Sequence, residues 1–308
     1  MPIPIPAALD ESAALARTKA MQVRRLPRYL AASVLAGAFV GVAVVLLASV
    51  AGPFVAASAP SAKLVQGAVF GVALTLVVFA GAELFTGNVM YMLQGLSART
   101  IGFGGLMAVW VASLVGNLIG SIGFAAMVHA GGTMTTGASA GKIGPGEALI
   151  AGAVEAKNMA TGTQLFWRSV LCNALVCLAL WMAGRTRSDA AKLVVLWWAL
   201  LAFIASGFEH SVANMTLFGL GIFQGHAAWG DLWRNLAWTV PGNIVGGGVL
   251  VGLAYAWVGR ADRPVTVAPE PIPEPAIDAP LGRLLQRGNG QGSPDGQGPE
   301  PAQAPAIP

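Results

Sequence analysis

The run Phe203-Ile204-Ala205-Ser206-Gly207-Phe208-Glu209-His210-Ser211-Val212-Ala213-Asn214-Met215 lies inside an apolar stretch, residues 193–222, that is too long for one plain crossing of a bilayer. A glycine, an acid, a histidine and an asparagine stand near its middle. Ionisable side chains at mid-membrane depth cost at least about 2.5 kcal/mol each, and an interrupted helix survives there only when buried in protein or facing a water-filled cavity. The stretch therefore reads as a broken helix. A second over-long stretch, residues 64–95, carries Gly81-Ala82-Glu83-Leu84-Phe85-Thr86-Gly87-Asn88 and reads the same way.

Outward from these two breaks, apolar runs of membrane-spanning length recur at 30–51, 64–95, 105–130, 165–184, 193–222 and 237–259. Of the 308 residues 55% are apolar and only 10% charged, against about 25% charged in a soluble globular protein, which excludes a soluble enzyme. Within the six runs only Glu83, Arg168 and Glu209 are charged, and forty glycines suit helices packed closely in lipid. The expected fold is an all-α integral membrane protein of six transmembrane helices, with helices 2 and 5 interrupted. Its net charge of +4 is too small and too scattered for nucleic acid.

The two breaks belong to an internal repeat. Gly81-x-Glu83 with Asn88 becomes Gly207-x-Glu209 with Asn214 at an offset of 126, and Gly116-Asn117-x-x-Gly120 becomes Gly242-Asn243-x-x-Gly246 at the same offset. Each half holds three helices, an odd number, so the two halves are expected to be inverted in the membrane. Inverted repeats with interrupted helices build channels and secondary transporters, with the site near the midplane where the repeats meet.

Thirteen of the 18 basic residues fall before helix 1, in the 2–3 and 4–5 connections, or after helix 6, which by the positive-inside rule places both termini in the cytoplasm. Residues 1–29 form a cytoplasmic N-terminal segment, 30–260 the channel domain, and 261–308 a disordered cytoplasmic tail. From residue 264 onward the chain holds eleven of its nineteen prolines and no aromatic residue. The N-terminus has no apolar core before its basic cluster and is not read as a cleaved signal; residues 9–26 suit either a weakly amphipathic helix or a solvated leader. Residues 130–163, rich in Gly, Ala and Thr, read as a long loop. Cys172 and Cys177 match no zinc or redox spacing and read as small buried residues.

His210 is one of three histidines, and its position in a break makes it the leading functional candidate, since imidazole both donates and accepts protons near neutrality. It would hydrogen-bond an anion or protonate it in transit. Glu209 either orients the imidazole or caps backbone N–H groups at the break, whereas Glu83 reads as structural. Lys157 is either a solvated loop lysine or a charge that draws anions to a pore mouth. Thr86 and Asn88 supply hydrogen bonds to backbone groups freed by the first break. A membrane metal hydrolase is the rival reading, but only His210 lies within the membrane, His129 standing at the end of its run near a loop, and there is no HExxH, so no metal, cofactor or enzyme activity is expected. A neutral-solute channel would require paired Asn-Pro-Ala motifs, which are absent.

The two break signatures, together with Leu171-Cys172-Asn173-Ala174-Leu175-Val176-Cys177, Ala191-Lys192 leading into Leu196-Trp197-Trp198, and Gly242-Asn243, resemble the formate/nitrite transporter family over about residues 25–260. The similarity is greatest to its bacterial nitrite channel branch, from Ala191 through Phe218. The resemblance implies an aquaporin-like protomer, a homopentamer with one pore per protomer in the bacterial inner membrane, and transport of small monovalent weak-acid anions, nitrite foremost, with formate and hydrosulfide as alternatives, and protons as partners. It also implies that His210 is the central pore histidine with Thr86 opposite it, surrounded by Lys157, Glu209, Asn173 and Asn243. Phe70, Leu74, Leu84, Phe85 and Phe203 would form apolar constrictions, and the N-terminal segment becomes a candidate cytoplasmic gate.

Overall fold

The computed structural model describes residues 1–261; the Pro-rich tail lies outside them. Among the described residues the chain is helical, without a β-strand. Helix α1 spans Ile5–Gln22 and α2 Leu26–Ala56, followed by α3 (Ala62–Phe70) and α4 (Val72–Phe79). After the first break come α5 (Phe85–Ser97), α6 (Phe103–Ala130), α7 (Pro145–Met159) and α8 (Gly162–Gly184). Then α9 (Asp189–Ala205) leads to the second break, α10 (Ser211–Phe223), α11 (Trp229–Asn243), a π-helical stretch Ile244–Leu253 and α12 (Ala254–Ala261). Five helical segments are long and apolar enough to cross a membrane: Leu26–Ala56, Ala62–Phe79, Phe103–Ala130, Gly162–Gly184 and Trp229–Arg260. The helices α9 and α10, of 17 and 13 residues, flank the second break.

Local signals explain the ends. Prolines at the first or second helical position start α1, α2 and α7, where the missing N–H would be unpaired in any case. A reciprocal Thr161/Gln164 box opens α8, and the Ser188 hydroxyl accepts from Ala191 N–H to open α9. In the last span Pro241, which has no N–H, stands just before the π-helical stretch.

One segment differs from the sequence expectation, and a second takes one of the two forms left open for it. The long loop expected over residues 130–163 contains α7, a helix whose Leu149, Ile150 and Val154 are buried. Its start lies close against α2: a Cβ on Gly52 of α2 would press on the Pro145 carbonyl. The N-terminal segment is a docked helix rather than a leader, with Ala8, Leu9, Ala13, Ala16 and Lys19 buried. Ile3 N–H donates to the Arg185 carbonyl (2.8 Å) and Arg185 Nε to the Ile3 carbonyl (2.9 Å), which ties its start to the end of α8.

The spans pack through glycine. On α6, a Cβ at Gly120 would overlap the Val34 carbonyl of α2, and in the last span a Cβ at Gly246 would overlap the Val170 carbonyl of α8. Each contact brings two helix backbones together at a point where any side chain would hold them apart.

Candidate functional site

Both breaks turn on a glycine in the left-handed region, Gly81 at φ +77° and Gly207 at φ +72°, a conformation that disfavours a Cβ. The half-helices beyond them begin with exposed backbone donors that must find partners away from water. Asn117 Oδ1 accepts from Phe85 N–H (2.8 Å), while Asn117 Nδ2 donates to the carbonyls of Ser33 (2.8 Å) and Glu83 (2.9 Å). Asn243 repeats this set at the second break, accepting from Ser211 N–H (2.9 Å) and donating to Ser169 (2.8 Å) and Glu209 (3.1 Å) carbonyls. The sequence offset of 126 thus marks a repeated hydrogen-bond frame.

The acids repeat as well. Glu209 accepts from Lys157 Nζ at 2.6 Å and from Asn214 Nδ2 at 2.8 Å. Glu83 accepts from Lys19 Nζ at 2.7 Å, Asn88 Nδ2 at 3.0 Å and the Tyr29 hydroxyl at 3.0 Å. Lys157 is therefore the last-turn residue of α7 and folds inward to a buried partner. Glu209 makes no hydrogen bond to His210; it is held by Lys157 and Asn214, so of the two roles offered for it, orienting the imidazole is not what the geometry provides. Lys19 and Tyr29 were not among the sequence candidates. No signal at the repeat offset points to Lys19, because the position offset from Lys157 by 126 is Ala31.

His210 is the cap of α10. Its Nδ1 accepts from Ala213 N–H (3.1 Å), which leaves the neutral ring's proton on Nε2, and Nε2–H donates to Thr86 Oγ1 at 3.0 Å. The two breaks therefore meet through one hydrogen bond between buried side chains, His210 5% exposed and Thr86 fully enclosed. Behind Thr86, Asn173 Nδ2 donates to the carbonyls of Thr86 (3.1 Å) and Asn243 (2.7 Å), and Cys177 Sγ to Thr86 O (3.2 Å). Asn173 and Asn243 thus position the break backbones and do not reach the imidazole.

Three cavities lie in order along α2. Next to Arg25, Arg28 and Tyr29 is one of about 310 Å³ that also meets Gly81 and Glu83. Beside Val40 a cavity of only about 10 Å³, at the threshold for a single water, is lined by Phe70, Leu74, Leu84, Phe203 and His210. Beside Leu47 and Val55 a third, of about 540 Å³, meets Lys157, Arg168, Gly207 and Glu209. From Ala32 to Leu47 is about 22 Å of helix at 1.5 Å per residue, so the narrow apolar segment separates two wider vestibules, each with charged side chains in its wall. The Phe203 ring stacks on His210 with centroids 6.0 Å apart, and Phe70 meets Phe203 edge-on at 5.6 Å. Phe85 does not line this segment and packs against Trp110 instead.

The formate/nitrite transporter family profile matches residues 7–257. The nitrite transporter NirC of Escherichia coli (strain K12) is 43% identical over 238 residues, covering 76% of this chain and 84% of that protein. Among solved structures, an FNT family ion channel superposes with a TM-score of 0.75 at 38% identity, covering 82% of this chain and 98% of that one. A pentameric formate channel with formate bound superposes with a TM-score of 0.63 at 27% identity, covering 77% and 98%. With its broken helices, its apolar segment between two vestibules and these matches over most of its length, the chain belongs to the formate/nitrite transporter family and is a membrane transporter, not an enzyme.

Proposed function

We propose that the protein conducts small monovalent anions of weak acids, nitrite foremost, along the line of the three cavities beside α2, with His210 at the midpoint. The observation that carries this reading is the His210–Thr86 hydrogen bond, which puts the narrow segment's one titratable side chain between the two breaks. Lys157 and Arg168 on one side and Arg25 and Arg28 on the other bias both vestibules toward anions. The repeated frames at Asn117 and Asn243 support two inverted halves of three spans each, counting α9 with α10 as one span. The excess of basic residues near α1 and after α12 supports cytoplasmic termini in a bacterial inner membrane. Likeness to a pentameric channel supports a homopentamer with one pore per protomer.

An anion in the narrow segment loses its water and meets Phe70, Leu74, Leu84 and Phe203, which offer it nothing in exchange. His210 Nε2–H is the donor that faces this loss, and Thr86, which accepts from it, keeps a hydroxyl proton to donate. Passage as the neutral acid needs a proton at the same place. The imidazolium form of His210 supplies it at Nε2 and is regenerated from solvent; because charging Nδ1 gives up the Ala213 cap, that form is transient. Formate is the second reading, carried by the formate-bound neighbour.

The test is flux in proteoliposomes containing His210→Phe. Nitrite and formate flux and its pH dependence are expected to fall to the protein-free level while the variant folds. Unchanged flux with the same pH profile overturns the proton role. Current recordings with nitrite, formate and chloride at several pH values separate the routes, because neutral translocation carries no net current.

A further inference from the structure

The end of the molecule that bears α1 holds a cavity of about 460 Å³ between α1, the end of α5 and α12, which shares no lining residue with the three cavities along α2. Three guanidinium groups line it: Arg17 from α1, Arg99 from the turn after α5, and Arg260 from α12. Against them stands one carboxylate, Asp10, which is already engaged in an interaction. Arg260 is oriented by donating to the Ser97 carbonyl (2.9 Å) and hydroxyl (2.8 Å). The Arg17 and Arg99 guanidinium groups make no hydrogen bond or ion pair with a described residue. Like charges collected around one cavity repel unless a counter-charge lies among them.

A second, independent observation comes from Gln94. It lines the same cavity, is 2% exposed, and has neither its amide nitrogen nor its amide oxygen hydrogen-bonded. A buried primary amide with both ends unpaired calls for a bound species. Arg99 adds a third. It closes α5 at φ +58°, just past the helix end, where glycine is the unstrained residue, so an arginine is kept there at a conformational cost.

We propose that this cavity binds a phosphate-bearing ligand, held by Arg17, Arg99 and Arg260 with the Gln94 amide donating to it. Planar guanidinium forks match phosphate oxygens two at a time, and the volume leaves room for an organic group beside the phosphate. That group is either the headgroup of an anionic phospholipid or a soluble phosphate ester. Because the ligand bridges α1 to α5 and α12, its binding holds α1 in its docked position, and with it Lys19 on Glu83.

The experiment uses the full-length protein in phosphatidylcholine nanodiscs, in two arms. In one, thermal unfolding is followed against glycerol 3-phosphate, with chloride at matched ionic strength as control. In the other, phosphatidylglycerol is added to the discs and its retention is read by native mass spectrometry. Wild-type protein is expected to show saturable binding in at least one arm, and the arm that responds identifies the source. The R17Q/R99G variant should weaken it by about tenfold or more, while the charge-matched K63Q/K142Q variant should not. Arg99→Gly suits the left-handed turn, so its loss of binding does not arise from unfolding. Gln94→Leu should weaken binding while leaving the charge attraction. The proposal is overturned by the absence of saturable binding in both arms, or by equal binding to R17Q/R99G.

Discussion

Asn117 and Asn243 each satisfy one helix-start N–H and two carbonyls with a single side chain, at points where no water is available to substitute. Replacing either with leucine strands two backbone groups, the helix-start N–H and the carbonyl of Glu83 or Glu209, since the Ser33 and Ser169 carbonyls lie inside α2 and α8 and keep their helical partners; a buried unsatisfied group costs about 1–3 kcal/mol. Asn117→Leu and Asn243→Leu are therefore expected to lower the unfolding temperature in detergent by similar amounts. A large loss at one position and none at the other would show that the two frames are not equivalent. Lys157 and Glu209 pair with side chains 15% and 4% exposed, and removing one partner from such a pair typically costs about 3–5 kcal/mol because the other charge is left buried. Lys157→Met and Glu209→Gln should each be strongly destabilising and their combination less so than the sum. A double-mutant cycle on thermal unfolding measures this, and strict additivity would mean that the pair is not coupled.

Among the elements, the helix contacts are decided by backbones that touch. Gly120→Ala and Gly246→Ala drive a methyl into a carbonyl of the neighbouring helix and should reduce stability, by about 1–3 kcal/mol on the scale of overpacked cores. Gly184→Ala, where an added Cβ meets nothing within 4 Å, should be neutral. Melting all three in the same detergent checks it, and a harmless Gly246→Ala would indicate that α8 and the last span are free to separate. The broken helices were legible in the sequence because glycine, acid and asparagine inside apolar runs have few other uses. Helix α7 was not, because its glycines and alanines carry no helical period of their own and are recruited by packing on α2. By contrast, Thr86 opposite His210 is what the family resemblance implies, and the structure adds the bond itself, which joins positions 124 apart.

For the whole molecule, exposed apolar residues such as Val111, Val115, Ile119, Trp198 and Trp257 exceed what water would tolerate on a monomer and are expected to face lipid or a neighbouring protomer. Light scattering of the purified protein, corrected for detergent, should give five copies of the 31.4 kDa chain; a monomeric mass would remove the support drawn from the pentameric neighbour. The sequence by itself determined that the chain is a helical membrane protein, that two of its helices are interrupted, and that its intramembrane charges gather at those interruptions. Hydrocarbon forces these outcomes locally, since an apolar run of a given length must span and a polar break within it must be compensated. Thr86 facing His210 is implied by the family resemblance; only the tertiary structure decided what compensates the two acids, Lys157 for Glu209 and Lys19 from a docked N-terminal helix for Glu83. Those partners are chosen by the close approach of helices distant in the chain, which residue order does not encode.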